Sequence, residues 1–246
     1  MPNPKRRHSK ARHDRPAPVP QPAAPQGGGC LDRRVHVPMS QTPMNQAPMN
    51  QFEAKSVPIN TDSPIPLIVW KDAFTPREVN DIIAYGDRLQ PMKAQLAGRS
   101  DAIDHLRITR VAWMARKPEI EWLHARLEEM VLQINERFYR YELFGLNEAF
   151  QYTVYEGAEG GYYGWHVDVG ERNYEPRKIS ISLQLSDASG YEGGDLMLQA
   201  GAGEFSAERA RGTLIAFPSF VLHRVTPVTS GTRKSLVVWV AGPEFR

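Results

Sequence analysis

The feature that most constrains the fold is a change in hydrophobic period near Ala149. Before that residue, apolar side chains recur every three or four positions, as in amphipathic helices. After it, short β-branched or alternating segments are separated by Gly, Asn and Pro, which is typical of strands. Two helices followed by six or more short strands predict an α+β, mainly β fold, a helix-supported antiparallel sandwich or barrel of the jelly-roll type. The predicted strands are 151–155, 179–185, 196–199, 213–217, 223–226 and 235–240.

Two helices are expected before these strands. The first begins at Thr75, because Thr-Pro-Arg-Glu is a capping box with proline at the first helical position. The second follows Pro118, and its apolar positions extend from Ile120 to Tyr141. Between the helices, 106–114 is predicted to be a strand.

The first 66 residues differ in composition from the other 180. They contain 13 of the 20 prolines and one of the 23 aromatic residues, with 9 Lys+Arg against 4 Asp+Glu, while the remainder has 21 against 24. Such a segment has too little apolar surface to offset the entropy of ordering. We therefore expect 1–66 to be a disordered, basic, Pro-rich tail and 67–246 to be the folded domain, with its core at 150–240. The basic run 5–15 either contacts nucleic acid or an acidic partner, or acts as a solubilising terminus.

The sequence argues against a membrane-spanning, a secreted or a disulfide-bonded protein. No run of about 18 apolar residues is present, so no membrane partner or span is expected. The basic start leads into a Pro-rich run instead of an apolar one, which is unlike a secretory signal. Cys30 is the only cysteine and lies in the tail, so neither an intrachain disulfide nor a cysteine ligand in the folded domain is expected. A reducing, cytoplasmic location fits this pattern.

The chemistry is expected to centre on His166 and Asp168 in Trp-His-Val-Asp. In a strand, side chains two apart point to the same face and can reach one ion. His223 follows a predicted strand and turn, where it could supply a third ligand. Two imidazoles and one carboxylate form the facial triad of non-haem Fe(II) oxygenases, although the same set also suits zinc.

Arg233 lies ten residues after His223, across an expected turn at 228–231. An arginine that faces inward beside a metal requires an anion, and its planar fork suits a carboxylate. A dicarboxylate would fit, with one end on the metal and the distal end on Arg233.

These residues, with the segment HRVTPVTSGTR from His223 to Arg233, resemble the Fe(II)/2-oxoglutarate-dependent dioxygenase superfamily, and most of all its prolyl 4-hydroxylase-like branch. The resemblance covers 150–240. It implies a double-stranded β-helix (jelly roll) supported by N-terminal helices, Fe(II) held by His166, Asp168 and His223, and 2-oxoglutarate bound by iron and Arg233.

Two further positions follow from the resemblance. Tyr155 matches a tyrosine that lines the co-substrate pocket. Gln184 stands where some relatives have an aromatic residue, so a second co-substrate anchor is not expected there.

The resemblance implies a hydroxylase that couples oxidative decarboxylation of 2-oxoglutarate, giving succinate and CO2, to hydroxylation of a substrate C–H bond, with ascorbate as a candidate reductant. Asp168 favours hydroxylation, since halogenating relatives lack this carboxylate. The substrate is left open between a peptidyl or free amino-acid side chain and a small metabolite. Its determinants are expected in 90–105, 156–164 and 169–177.

Two other functions are considered. A non-catalytic metal-binding jelly-roll module would hold zinc or nothing in the triad and gives Arg233 no role. A nucleic-acid demethylase could use the basic tail, but the acidic balance of 67–246 disfavours a strand-binding groove. The oligomeric state is left open.

Other residues have mainly structural interpretations. We expect 190–195 to form a turn, Trp239 to pack inward, and His105 and His124 to face solvent or cap helices. The aromatic residues 162, 163 and 165 either form the substrate mouth or close the end of the barrel.

Overall fold

The computed structural model describes residues 52–57, 65–94, 106–169, 176–200 and 203–245. The chain divides into two units, Met1–Met44 and Asn45–Arg246, and every described residue lies in the second. The predictions for 1–51 and 58–64, which include Cys30 and the basic run, therefore lie outside the described residues, as does the prediction for His105.

Two α-helices and fourteen strands make up the regular structure of the described residues. The helices are α1, Pro76–Arg88, and α2, Glu121–Ile134, which continues into a π-helical turn, Asn135–Tyr139. The strands are β1 Phe52–Val57, β2 Ile65–Trp70, β3 Met92–Lys93, β4 Arg107–Ile108, β5 Arg110–Met114, β6 Phe150–Glu156, β7 Tyr162–His166, β8 Arg177–Gln184, β9 Tyr191–Gly193, β10 Leu196–Ala200, β11 Gly203–Ser206, β12 Leu214–Pro218, β13 His223–Val225 and β14 Val228–Ala241.

The strands form two antiparallel sheets. The larger has the order β1-β2-β12-β8-β14-β6-β5-β3, with β9 paired to the first part of β14. The smaller has the order β11-β10-β13-β7-β4. This arrangement, with two helices before the main strands, confirms the predicted mainly β jelly roll.

Helix α1 begins as its sequence predicts. Thr75 Oγ1 accepts a hydrogen bond from the Glu78 backbone N–H at 3.3 Å, and the Thr75 N–H donates to Glu78 Oε2 at 2.8 Å. This reciprocal capping satisfies two donors that the first turn leaves without helical partners. Val79 and Ile82 then lie fully buried against the larger sheet's core cluster.

Strand alternation divides the larger sheet into an apolar and a polar face. In β8, Ile179, Ile181 and Leu183 pack in the core cluster that includes α1 and α2. The intervening Ser180 and Ser182 are buried on the other face and line a cavity. Because successive side chains of a strand point to opposite faces, a helix-supported core and a polar cavity share one sheet. A second apolar cluster, including Leu67, Val69, Ile215, Phe217, Leu196 and Leu198, lies between the sheets.

Residues 52–57 differ from the expected tail, because they form β1 and pair with β2 from Phe52↔Trp70 to Val57↔Ile65. Backbone pairing of this kind depends on the neighbouring strand more than on composition. The folded part therefore begins before residue 67.

The predicted strand 106–114 is two strands that belong to different sheets. Arg107 pairs with Tyr163 of β7, whereas Arg110 pairs with Val154 of β6. The chain crosses at Thr109, whose hydroxyl donates to the Val154 carbonyl at 2.8 Å. The side chains on either side of Thr109 thus belong to different layers.

The expected turn at 228–231 instead lies within β14, where the pairing with β9 shifts register between Val228 and Ser230. Gly231 has a φ of 70°, and a Cβ there would lie 2.1 Å from the Gly190 carbonyl oxygen. The irregularity is therefore a bulge in a long strand that only glycine accommodates at this point.

Neither helix of the described residues combines the length and the apolar content needed to cross a membrane.

Candidate active site

The structure brings His166, Asp168 and His223 together at one end of the antiparallel strand pair β7–β13 in the smaller sheet. His166 ends β7, His223 begins β13, and the two are register partners. His166 Nε2 lies 3.6 Å from Asp168 Oδ1, and His223 Nε2 lies 3.4 Å from Asp168 Oδ2. One ligand atom from each residue falls within 4.8 Å of the others, a group that could hold a metal ion.

Asp168 reaches this position differently from the way the sequence suggested. Strand β7 ends at His166, so Asp168 is not on the strand. Its backbone N–H instead donates to the Ser219 carbonyl at 2.8 Å, and its Oδ2 accepts from Ser180 Oγ at 2.8 Å. The loop after β12 and the polar face of β8 therefore fix the carboxylate.

Backbone carbonyls orient both imidazoles. The Gly164 oxygen lies 2.8 Å from His166 Nδ1, and the Val221 oxygen lies 2.9 Å from His223 Nδ1. Since a carbonyl can only accept, each Nδ1 carries a proton, and each Nε2 is the ring nitrogen that faces Asp168. Such outer hydrogen bonds fix the tautomer that a metal-binding histidine requires.

Electrostatics act differently on the three groups. Burial alone would lower the pKa of His223, but the adjacent Asp168 carboxylate outweighs it and raises that pKa. Burial lowers the pKa of His166 to about 4, and the neighbouring His223 adds to this effect. Burial alone would raise the pKa of Asp168, but the adjacent His223 and His166 outweigh it and hold that pKa below its usual range. A neutral imidazole and an ionised carboxylate are the donor forms that bind Fe(II) or zinc.

Arg233 lies on the polar face of β14 and is 1% exposed. Its Nη1 donates to Ser235 Oγ at 3.2 Å and its Nη2 donates to Gln184 Oε1 at 3.1 Å. Its guanidinium carbon lies 5.3 Å from the centre of the Tyr155 ring. Within the described residues no carboxylate pairs with Arg233, and its Nε has no hydrogen-bond partner.

The triad, Arg233 and Tyr155 line one cavity of about 750 Å³, and Trp239 faces it as expected. Of the segments expected to determine the substrate, 156–164 contributes Tyr163 to its wall and 169–177 contributes Val169 and Arg177. Residues 95–105 and 170–175 of the expected segments lie outside the described residues. The remaining lining residues are Arg107, Trp113, Asn147, Glu148, Ala149, Gln151, Thr153, Val167, Ser180, Ile181, Ser182, Leu196, Phe217, Val225, Ser235 and Val237.

The wall carries two arginines whose roles were not predicted individually, although Arg177 lies in the expected segment 169–177. Arg177 donates from Nε to Glu148 Oε1 at 2.6 Å, and its guanidinium carbon lies 3.7 Å from the centre of the Trp239 ring. Arg107 is 8% exposed and donates to Gln151 Oε1. The alternation of polar residues in β6 and β8 could have predicted this polar wall. The sequence around Arg107 contains no pattern that predicts its place in the cavity.

His124 was expected to face solvent or cap a helix, and that expectation is wrong. The side chain is 1% exposed and stacks on Phe150 with 4.0 Å between ring centres. It therefore packs in the helix-side core and not in the cavity. The segment 190–195, expected to be a turn, instead contains strand β9, and Asp195 after that strand pairs with Arg209 at 3.0 Å.

Comparison with known proteins identifies the β-rich part of the chain. Residues 150–241 match the model of the 2OG-Fe(II) oxygenase superfamily. This segment belongs to that superfamily. The match contains the triad and Arg233 and confirms the resemblance drawn from the motifs.

The relatives and folds agree with this assignment. PKHD-type hydroxylases of Idiomarina loihiensis and Shewanella oneidensis are each 40% identical, over 88 and 93 residues, which is 36% of this chain and 40% and 41% of the relatives. The chain thus spans about two fifths of the length of the curated relatives it matches. The fold resembles a Pseudomonas putida prolyl-4-hydroxylase, with a TM-score of 0.57 at 21% identity over 72% of this chain and 93% of the other. It also resembles a Trichoplax adhaerens prolyl hydroxylase in complex with a peptide, with a TM-score of 0.60 at 18% identity over 72% and 83%.

Proposed function

We propose that this protein is an Fe(II)- and 2-oxoglutarate-dependent dioxygenase that hydroxylates a substrate C–H bond and produces succinate and CO2. The observation that carries the proposal is Arg233, a buried cation that lines the same cavity as a two-histidine, one-carboxylate cluster. A buried guanidinium without a paired anion is costly, so a site of this kind is built for an anionic ligand.

The residues fit the metal and the co-substrate. His166 and His223 would bind Fe(II) through Nε2, Asp168 would bind through its carboxylate, and Ser180 would hold that carboxylate by its hydrogen bond. When bound, Fe(II) supplies dioxygen activation at the expense of 2-oxoglutarate. Arg233 would pair with the distal carboxylate of 2-oxoglutarate.

The remaining wall would position the co-substrate and limit access of water. Tyr155 packs beside the Arg233 guanidinium, and the apolar Leu196, Phe217 and Val225 cover the triad side of the cavity. A dry, shaped pocket keeps the oxidising chemistry directed at the substrate.

We further propose that the dioxygenase domain covers 67–246 together with β1, with its catalytic core at 150–240. A non-catalytic metal-binding module is disfavoured because it assigns Arg233 no ligand. The substrate is a small molecule or a peptide, and the peptide bound by the Trichoplax adhaerens relative supports including peptides. The cytoplasmic location stays a prediction.

The test is anaerobic addition of Fe(II) and then 2-oxoglutarate to the purified protein. We expect a weak visible charge-transfer band in the wild type and in Lys234→Met, a control on β14 whose side chain pairs with Asp87 outside the cavity. The band should be absent in His166→Ala. A wild type that gives no band, and no succinate with any tested compound, would contradict the proposed function.

A further inference from the structure

Arg107 is a second cation without an ion-pair partner in the same cavity. Several other arginines of the described residues form ion pairs with carboxylates: Arg177 with Glu148, Arg209 with Asp195 and Arg224 with Glu204. Arg107 has no such partner in the described part of the chain. Like Arg233, it is buried, lines the cavity and has an Nε without a hydrogen-bond partner there.

The contacts that Arg107 does make hold it in place without neutralising it. Nη2 donates to the neutral Gln151 amide oxygen, and the guanidinium carbon lies 4.5 Å from the centre of the Tyr163 ring. The Tyr163 ring stacks in turn on His166, with 3.6 Å between ring centres and 13° between planes. The guanidinium carbon therefore lies no more than about 8 Å from the His166 ring, the sum of those two separations.

The two arginines contact strand β6 at different positions. Arg107 bonds to Gln151, whereas Arg233 pairs across the sheet with Tyr155, four residues further along β6. Four residues of strand span about 13 Å. Because Arg107 contacts a different part of β6 from the part beside Arg233, a co-substrate anchored on Arg233 would leave Arg107 available to a different molecule.

The formal charges of the loaded site point the same way. Arg177 and Glu148 cancel each other, and Fe(II), Asp168 and Arg233 together balance the two negative charges of 2-oxoglutarate. Arg107 would then remain as one unbalanced positive charge in a buried wall. Such a charge favours a ligand that carries a matching negative group.

We propose that Arg107 binds an oxyanion of the substrate, a carboxylate or a phosphate, and so selects anionic substrates. This inference rests on the proposed function and specifies its substrate class. The short distance from Arg107 to His166 requires that the oxidised carbon lie close to that oxyanion, as in a small acid or in a residue that carries the acidic group. A planar guanidinium suits both oxyanions.

The experiment measures ligand binding by calorimetry to the protein loaded with Fe(II) and 2-oxoglutarate under anaerobic conditions. The probes are N-acetylglycine, methyl phosphate and the neutral N-acetylglycinamide. We expect one or both oxyanions to bind the wild type at least tenfold more tightly than the amide, which also distinguishes carboxylate from phosphate. Arg107→Met should lose at least tenfold of that affinity, and Arg107→Lys should retain most of it.

The matched control is Arg110→Met, an exposed arginine on β5 that pairs with Glu159 and does not line the cavity. It should bind the probes like the wild type. Equal binding of all three probes, no oxyanion binding to the wild type, or unchanged affinity in Arg107→Met would overturn the inference. Loss of the charge-transfer band on adding an oxyanion would place the anion on Arg233 and would also overturn it. The comparison of the three probes on the wild type tests the inference even if a variant does not fold. If the wild type shows no charge-transfer band before any probe is added, the proposed function itself has failed.

Discussion

Replacing Arg233 with methionine separates co-substrate binding from metal binding. The guanidinium is 1% exposed and held by Ser235 and Gln184, so it is oriented before any ligand arrives. Two hydrogen bonds to a charged carboxylate contribute about 1.5 to 3 kcal/mol each. Their loss reduces the binding free energy by about 3 to 6 kcal/mol, which raises the dissociation constant for 2-oxoglutarate by ~10²- to 10⁴-fold.

The same substitution should not weaken the metal site, because Arg233 makes no hydrogen bond to the triad. It should also leave the apo-protein at least as stable as the wild type, since it removes a buried charge without an ion-pair partner in the described residues. The assay is anaerobic titration of Fe(II)-loaded protein with 2-oxoglutarate, followed by the visible band, with metal content and thermal midpoint measured in parallel.

The neighbouring Lys234→Met provides the control, because Lys234 pairs with Asp87 at 2.8 Å on the opposite side of β14. That variant should bind 2-oxoglutarate within about twofold of the wild type, a difference of ~0.4 kcal/mol. A normal 2-oxoglutarate affinity in Arg233→Met, or a loss of metal equal to the loss of co-substrate, would refute the assignment of Arg233 as the distal anchor.

Three further substitutions test the support around the site. Ser180→Ala removes the hydrogen bond to Asp168 Oδ2 and should lower Fe(II) affinity about 10- to 100-fold, measured by competition with a chelator. His124→Leu should reduce the pH dependence of urea unfolding between pH 7 and 5. Burial lowers the pKa of His124, so on acidification the unfolded chain gains a proton that the folded chain does not, and wild-type stability falls by up to about 1.4 kcal/mol per pH unit. Gly86→Ala should destabilise the protein by about 1 to 3 kcal/mol in denaturant unfolding, because the new Cβ would lie 2.6 Å from the Tyr152 ring.

Each of these changes has an outcome that contradicts it, and the serine and glycine changes also have a control variant. Ser182→Ala alters the same face of β8 without touching Asp168, so equal metal loss in both serine variants would show that Ser180 has no specific effect. An unaltered pH slope in His124→Leu would assign the acid sensitivity to other groups. Gly190→Ala meets no atom within 4 Å, and equal stability of the two glycine variants would refute the contact with Tyr152.

The residues that the sequence identified share a local pattern. His166 and Asp168 are two apart, and His223 and Arg233 lie on consecutive strands of one short segment. Such short spacings can be recognised without knowledge of the tertiary structure, so the proposed ligand set could be predicted. The capping box of α1 was predictable for the same reason, because its hydrogen bonds join residues three apart.

Long-range pairing accounts for what the sequence did not reveal. Strand β1 exists by pairing with β2, and the position of Asp168 depends on the Ser219 carbonyl. His124 lies on α2 between apolar neighbours, and only the contact with Phe150 shows that it is buried. Residue type predicted exposure here, and the packing of α2 on the sheet reversed it.

Arg107 and Arg233 line one cavity, but only one of them could be predicted from the sequence. Both are buried arginines without carboxylate partners in the described residues, but only Arg233 follows a metal-ligand candidate on the same segment. Arg107 reaches the cavity because the chain changes sheets at Thr109, which places the residue before the crossing beside β7 and the residue after it beside β6. The hydrophobic pattern of the sequence does not predict that change of sheet. The residue proposed to select the substrate is therefore the one that depends most on tertiary structure, whereas the proposed metal and co-substrate ligands depend mainly on local spacing.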